Sequence, residues 1–131
     1  MKVFLGGTCN ESVWREKLIP LLKAAKINFF NPVVKDWTPD CQEEEYRQKD
    51  LCDVHLYAIT KEMTGVFSIA EAVDSTYIER KRCVFQIFKE GFSPSQLKSL
   101  LAVADLIKKR GGTVSCTDDF NLLSVIVGSI I

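Results

Sequence analysis

In the stretch TGVFSIAEAVDS, Thr64 to Ser75, the carboxylate of Glu71 is flanked on both sides by small and apolar residues. Two jobs suit it. Ser68-Ile69-Ala70-Glu71 has the S-x-x-E form of a capping box. In that arrangement Ser68 accepts from the third helical N–H and Glu71 reaches back to the Ser68 amide, for about 1 kcal/mol of helix stability. Alternatively, a carboxylate fenced by Val66, Phe67 and Ile69 is shielded from solvent and positioned to attack or stabilise an electrophilic carbon. An anomeric carbon is a matching electrophile, because an adjacent carboxylate stabilises an oxocarbenium-like transition state and can then close a covalent glycosyl ester. Spacing alone favours the cap, and the two uses compete: a side chain folded back on Ser68 is not available to a ligand.

Other polar groups fall in short stretches. GGTCN, Gly6 to Asn10, permits a tight turn and a close approach of backbone N–H groups to a ligand. It matches neither GxGxxG nor GxxxxGK[ST], so no dinucleotide or triphosphate cradle is implied. NPVVKDW ends in Asp36 beside Trp37, a pair able to stack a planar base and hydrogen-bond a sugar or ring nitrogen; equally, Pro32 only turns the chain and Trp37 covers the sheet edge. The acidic run at Glu43 to Glu45 reads as a solvated helix face. His55, the single histidine, alternates with Val54 and Leu56 and reads as a packed or hydrogen-bonded strand residue. With one histidine, a His-based zinc site or a Ser/His/Asp triad is hard to build, and no metal or cofactor is expected.

The elements that must hold these residues alternate. Strand-like runs near 2–6, 27–31, 53–59, 82–88 and 112–116 are separated by segments of helical period. That alternation predicts a parallel sheet with helices on both faces: one α/β domain over 1–131, doubly wound, five-stranded and flavodoxin-like. In the first helical segment Trp14, Leu18, Leu21, Leu22 and Ala25 share a face, Ser12 is the cap and Pro20 a kink or restart. Residues 42–52 form a polar, mostly exposed helix. Ser93 and Pro94 open a helix that Gly111 and Gly112 stop, with Leu97, Leu100, Leu101, Ala104 and Ile107 on one face. The apolar tail after Asp119 is too short to cross a bilayer; it is buried on the sheet or shared with a second subunit. In such sheets ligands bind beyond the carboxyl ends of the strands.

Seventeen basic and seventeen acidic residues cancel, which removes the long-range field that would gather a nucleic acid polymer or an anionic membrane. Five scattered cysteines without a CxxC pair suit a reducing cytoplasm, and no basic-plus-apolar leader opens the chain.

Taken in order, VFLGGT, WR, NPVVKDW, the acidic helix, LYAIT and MTGVFSIAEAVDS followed by CVFQIF resemble the nucleoside 2-deoxyribosyltransferase-like family, in particular its small branch, over roughly residues 2–90. The resemblance implies a flavodoxin-like fold and cleavage of the N-glycosidic bond of a 2′-deoxynucleoside or deoxynucleotide, with deoxyribose passed to another base or to water. It makes Glu71 the nucleophile and Ser68 the hydroxyl three before it. A family acid that assists the nucleobase falls within Glu43 to Glu45, with Glu43 and Glu45 the catalytic candidates carried forward. Gly7, Thr8, Asp36, Trp37, Gly65 and Ser68 are the substrate-binding candidates. Asn121 joins them from the carboxyl-terminal segment, which in the family completes a partner's pocket and so implies a homodimer or higher homo-oligomer.

Three departures stand out. Phe4 occupies the position of a strand-one tyrosine whose hydroxyl reaches the nucleophile in many relatives, leaving that hydrogen bond absent or supplied elsewhere, with Tyr57 a candidate. Gly65, six before Glu71, carries neither the aspartate of the transferases nor the serine of relatives that hydrolyse 5′-monophosphates. Asn10 replaces a phosphate-binding arginine, although Arg15 is near. These departures leave open an alternative in which the same fold binds, senses or sequesters a nucleotide-derived ligand without turnover.

Overall fold

A strand that is apolar on both faces needs cover on both, and the central strands here have it. The computed structural model describes residues 1–9 and 11–131. In chain order the elements are β1 (Lys2–Gly7), α1 (Trp14–Ala24), β2 (Asn28–Phe30), α2 (Pro39–Leu51), β3 (Val54–Ile59), α3 (Phe67–Ser75), β4 (Arg82–Ile87), α4 (Pro94–Lys109), β5 (Thr113–Ser115) and α5 (Phe120–Ile130). The five strands form one all-parallel sheet in the order β2-β1-β3-β4-β5, the doubly wound flavodoxin-like arrangement. β3, at the centre, is buried along its whole length, whereas the two edge strands are three residues each and shorter than the apolar runs that announce them.

The pleat divides the core in two. Val3, Leu5, Val54, Leu56 and Val84 pack against Trp14, Leu18 and Leu22 of α1 and Leu123 and Val127 of α5. Phe4, Tyr57, Ile59, Phe85 and Ile87 face the other way, onto Ala72 of α3 and Leu100, Ala104 and Ile107 of α4. His55 lies on this second side beside Tyr57, as strand alternation requires, with ring centroids 6.3 Å apart.

Several boundaries differ from expectation. α2 begins at Pro39, three residues early, because proline suits the first helical turn, where an N–H would be unpaired anyway. α1 runs through Pro20, which is exposed, without a break, and its preceding residue is Val13; Ser12 instead bonds Thr60 Oγ1 at 2.9 Å. α4 has the expected start, a full capping box between Ser93 and Gln96. Leu101 is 42% exposed, however, and lies off the buried face. Asp119 caps α5 by accepting from the Asn121 and Leu122 amides. The tail is therefore a helix laid against α1, with Leu122 and Val125 still facing outward. No helix among the described residues is long and apolar enough to cross a membrane.

Candidate functional site

At the carboxyl end of β1 the chain must leave the sheet beside β3, and two glycines make this possible. A Cβ on Gly6 would stand 2.6 Å from the Tyr57 ring. Gly7 sits at φ +117°, with its would-be Cβ 2.1 Å from the Ala58 oxygen. The turn that follows is held from behind by Arg15. This guanidinium is buried and donates to the carbonyls of Leu5 (3.0 and 2.9 Å), Thr8 (2.8 Å) and Gly7 (3.4 Å), while its plane lies 4.4 Å from the Trp14 ring. Trp14 Nε1 adds a bond to the Thr8 carbonyl at 2.9 Å, and Thr8 Oγ1 accepts from the Thr60 amide at 3.0 Å.

In front of this turn lies a cleft of about 350 Å³. Its floor comes from Phe4, Gly6, Gly7 and Arg15, one wall from Glu45 of α2, and the other from Phe67, Ser68 and Glu71 of α3. Val33, Val34 and Trp37 of the β2–α2 loop form the rim.

The orientation of Glu71 is settled by where α3 starts. The helix begins at Phe67, so Ser68 lies inside its first turn and makes no cap; the capping-box expectation fails at this point. Glu71 faces the cleft instead, and its Oε2 accepts from Lys49 Nζ at 2.6 Å. Both side chains are largely withdrawn from solvent, at 12% and 22% exposure. Lys49 Nζ also lies 6.0 Å over the Phe4 ring. The hydroxyl expected to compensate for Phe4 is not supplied by Tyr57, whose buried oxygen has no hydrogen-bond partner among the described residues. Its pKa is raised by burial.

The acidic run separates into three environments, because consecutive helical residues point about 100° apart. Glu43 is exposed. Glu44 is held outside the cleft by Arg47, at 2.9 and 2.7 Å, and by Gln48 at 2.8 Å. Glu45 alone of the three enters the cleft. Burial, and then the charge of Glu71, push the Glu45 carboxyl above the ordinary range, against the pull of Lys49 and Arg15.

Of the residues expected to bind substrate, Gly7, Trp37 and Ser68 line the cleft with Glu71 and Glu45. The others do not. Thr8 is buried as a brace of the turn. Asp36 is exposed, and its main-chain oxygen accepts from the Cys41 thiol at 3.9 Å. Gly65 has open space around its Cα, and Asn121 is exposed at the start of α5, on the opposite layer. Asn10 lies outside the described residues. Arg15 lies in the cleft floor, but four of its five N–H donors go to main-chain carbonyls, which makes it a poor phosphate clamp. Lys49 was not anticipated. For Lys49 a signal existed: it stands one helical turn after Glu45, the spacing at which side chains on one face meet.

A flavodoxin-like sheet with two carboxylates in a cleft at its strand ends places the chain among the doubly wound α/β proteins, whose ligand sites lie at that edge of the sheet. A family model described as nucleoside 2-deoxyribosyltransferase like matches residues 1–92, which run from β1 through β4, and the chain belongs to that family. No curated protein matches it.

Proposed function

We propose that the protein cleaves the N-glycosidic bond of a 2′-deoxynucleoside or deoxynucleotide and passes the deoxyribose to another base or to water. Glu71 is the nucleophile that attacks C1′, and Glu45 is the acid that protonates the departing base. One observation carries this reading: two carboxylates share a cleft, and the surroundings bias one of them, Glu45, toward its protonated form. Paired carboxyl groups driven apart in acidity divide the roles of acid and nucleophile between them. The exposed rings of Trp37 and Phe67 flank the entrance, where stacking on a planar base would remove them from water. Ser68 and the main chain at Gly7 are left for the sugar.

The 131 residues work as one cytoplasmic domain in this reading. Leu122 and Val125 on the outer face of α5 are the surface through which a homodimer or higher homo-oligomer forms.

The decisive experiment incubates the protein with a pool of deoxynucleosides and their monophosphates, with and without excess free base, and separates the products by chromatography. New nucleosides mark a transferase and free base alone a hydrolase. Thermal stabilisation by a ligand without product marks a binder and refutes the catalytic reading. Glu71→Gln should lower turnover by at least about 10³-fold; unchanged turnover would refute the assignment of the nucleophile.

A further inference from the structure

Lys49 is the feature the catalytic reading leaves without a task. Its ammonium is paired at 2.6 Å with one oxygen of Glu71, Oε2. On its own helix it stands four residues after Glu45, so the two rise from one face of α2. Three charged groups act on the Glu45 carboxyl: Glu71 from α3, Lys49 from α2 and Arg15 from α1. Arg15 is immobilised by its bonds to the carbonyls of Leu5, Gly7 and Thr8. Lys49 Nζ, by contrast, has Glu71 as its hydrogen-bond partner and ends a flexible four-carbon stem.

We propose that Lys49 is the shared counter-ion of the two carboxylates and moves from Glu71 to Glu45 when Glu71 loses its charge. The proposal rests on the assignment of Glu71 as nucleophile and Glu45 as acid. The roles of nucleophile and acid require that before reaction the trio be an ammonium, an ionised Glu71 and a protonated Glu45, with net charge zero. In the first step a Glu71 oxygen bonds to C1′, the C1′–N bond breaks with its electron pair going to the base nitrogen, and that nitrogen takes the Glu45 proton. Glu71 is now a neutral ester and Glu45 a carboxylate. The ammonium left by Glu71 has a new partner one helical turn away, and the net charge is still zero. In the second step water or a new base attacks C1′, the ester electrons return to Glu71, and the nucleophile's proton goes to Glu45. Lys49 swings back. Without it the half-buried site would hold an uncompensated negative charge throughout, which the low-dielectric surroundings disfavour.

The handover can be read without substrate, using Glu71→Gln as the neutral stand-in for the ester. The Glu45 side-chain carboxyl carbon is titrated by NMR in the wild type, K49M, E71Q and E71Q/K49M, with thermal melts to establish that each is folded and K49Q in reserve should K49M not fold. With Glu71 neutral, Lys49 belongs to Glu45, so K49M should raise the Glu45 midpoint by about one pH unit or more, tenfold in ionisation. With Glu71 present, Lys49 is engaged elsewhere and K49M should move Glu45 by clearly less. An effect equal or smaller in the E71Q background overturns the handover. The kinetic counterpart is a fall in kcat of about tenfold or more in K49A with partial recovery on adding ethylamine. An active K49A with an unchanged pH profile would also overturn it. Failure of the catalytic reading looks different: E71Q would keep its turnover, or the wild type would release no product, whatever the titrations give.

Discussion

His55 Nε2 lies 2.8 Å from the main-chain oxygen of Lys49. A carbonyl only accepts, so this nitrogen carries the proton, and in the neutral ring Nδ1, 3.0 Å from Ser75 Oγ, is an acceptor that shares the single Ser75 hydroxyl proton with the carbonyl of Glu71. Ser75 Oγ also lies 3.0 Å from the carbonyl of Glu71. The last turn of α2, the centre of β3 and the end of α3 are thus tied through one buried imidazole and one hydroxyl, directly behind the residues that carry the Lys49–Glu71 ion pair. The histidine that looked like a packing residue in the sequence is one, and it packs the two elements on which the cleft depends.

That buried ring makes stability depend on pH with a definite sign. Burial lowers the His55 pKa, and the nearby Lys49 and Lys81 ammonium groups act in the same direction. The unfolded chain, with a pKa near 6.5, therefore binds more protons than the folded one in the window below that value. Stability should be full above about pH 6.5 and should decline as the pH drops through that value toward the lower folded pKa. His55→Gln should cost about 1–3 kcal/mol at pH 7.5 through impaired buried hydrogen bonds. It should also flatten the loss of Tm between pH 7.5 and 5.5. Parallel Tm curves for the variant and the wild type would show that His55 is not the titrating group.

Arg15 should resist conservative replacement. Its fork satisfies the carbonyls of Leu5, Gly7 and Thr8 together, and a lysine ammonium cannot reproduce that planar geometry. Arg15→Lys should destabilise the fold by about 2–3 kcal/mol in chemical denaturation. Because the turn it braces is the floor of the cleft, turnover should fall as well. A midpoint within error of the wild type would mean that the turn holds without the guanidinium.

Gly7 is a sharper case. Alanine there must adopt φ +117° and places Cβ 2.1 Å from the Ala58 oxygen, a main-chain atom fixed by the sheet. Gly7→Ala should cost more than about 3 kcal/mol and leave little folded protein at 37 °C. Gly65→Ala, with open space at its Cβ, should melt within a degree or two of the wild type. The contrast between the two glycines, measured by thermal melts, separates a glycine required by the backbone from one that only occupies a loop.

The topology was legible because its signals are local and repeated: β-branched and aromatic runs for the strands, and for α4 a Ser-Pro start and a Gly-Gly stop. The start of α3 was not, since Ser68 and Glu71 have the spacing of a capping box and the local pattern offered no reason to begin the helix two residues earlier. Only packing decides it. The cleft was legible in part. Gly7, Trp37, Ser68, Glu45 and Glu71 lie at strand ends or on the helices that follow, where the fold concentrates ligands. Asp36 lies outside the cleft because position along the chain does not fix the direction of a loop side chain, and Asn121 lies outside the cleft of its own chain because α5, which it opens, is laid against α1 on the other layer. Lys49 was missed because in sequence it is one lysine of a polar helix, and its role exists only when α2 is brought against α3, 22 residues further on.

Glu45 yields the prediction with the most discriminating outcome, because stability and activity should move in opposite directions. A carboxyl whose folded pKa is raised stabilises the fold fully below its unfolded pKa, and loses that contribution as the pH rises through the folded value. Above the unfolded pKa the unfolded chain releases a proton that the folded site retains, so at neutral pH Glu45, half-buried beside Glu71, is a burden on the fold. Glu45→Gln should raise Tm at pH 7 to 8 and give no gain near pH 4. The same change removes the proton the leaving base needs, and kcat should fall by about 10²- to 10⁴-fold, the usual contribution of a positioned acid. That loss should shrink for a deoxynucleoside whose base already bears a positive charge, since such a base departs without a proton. If Glu45→Gln lowers the rates on neutral and cationic bases equally, Glu45 binds the substrate and another group protonates the base.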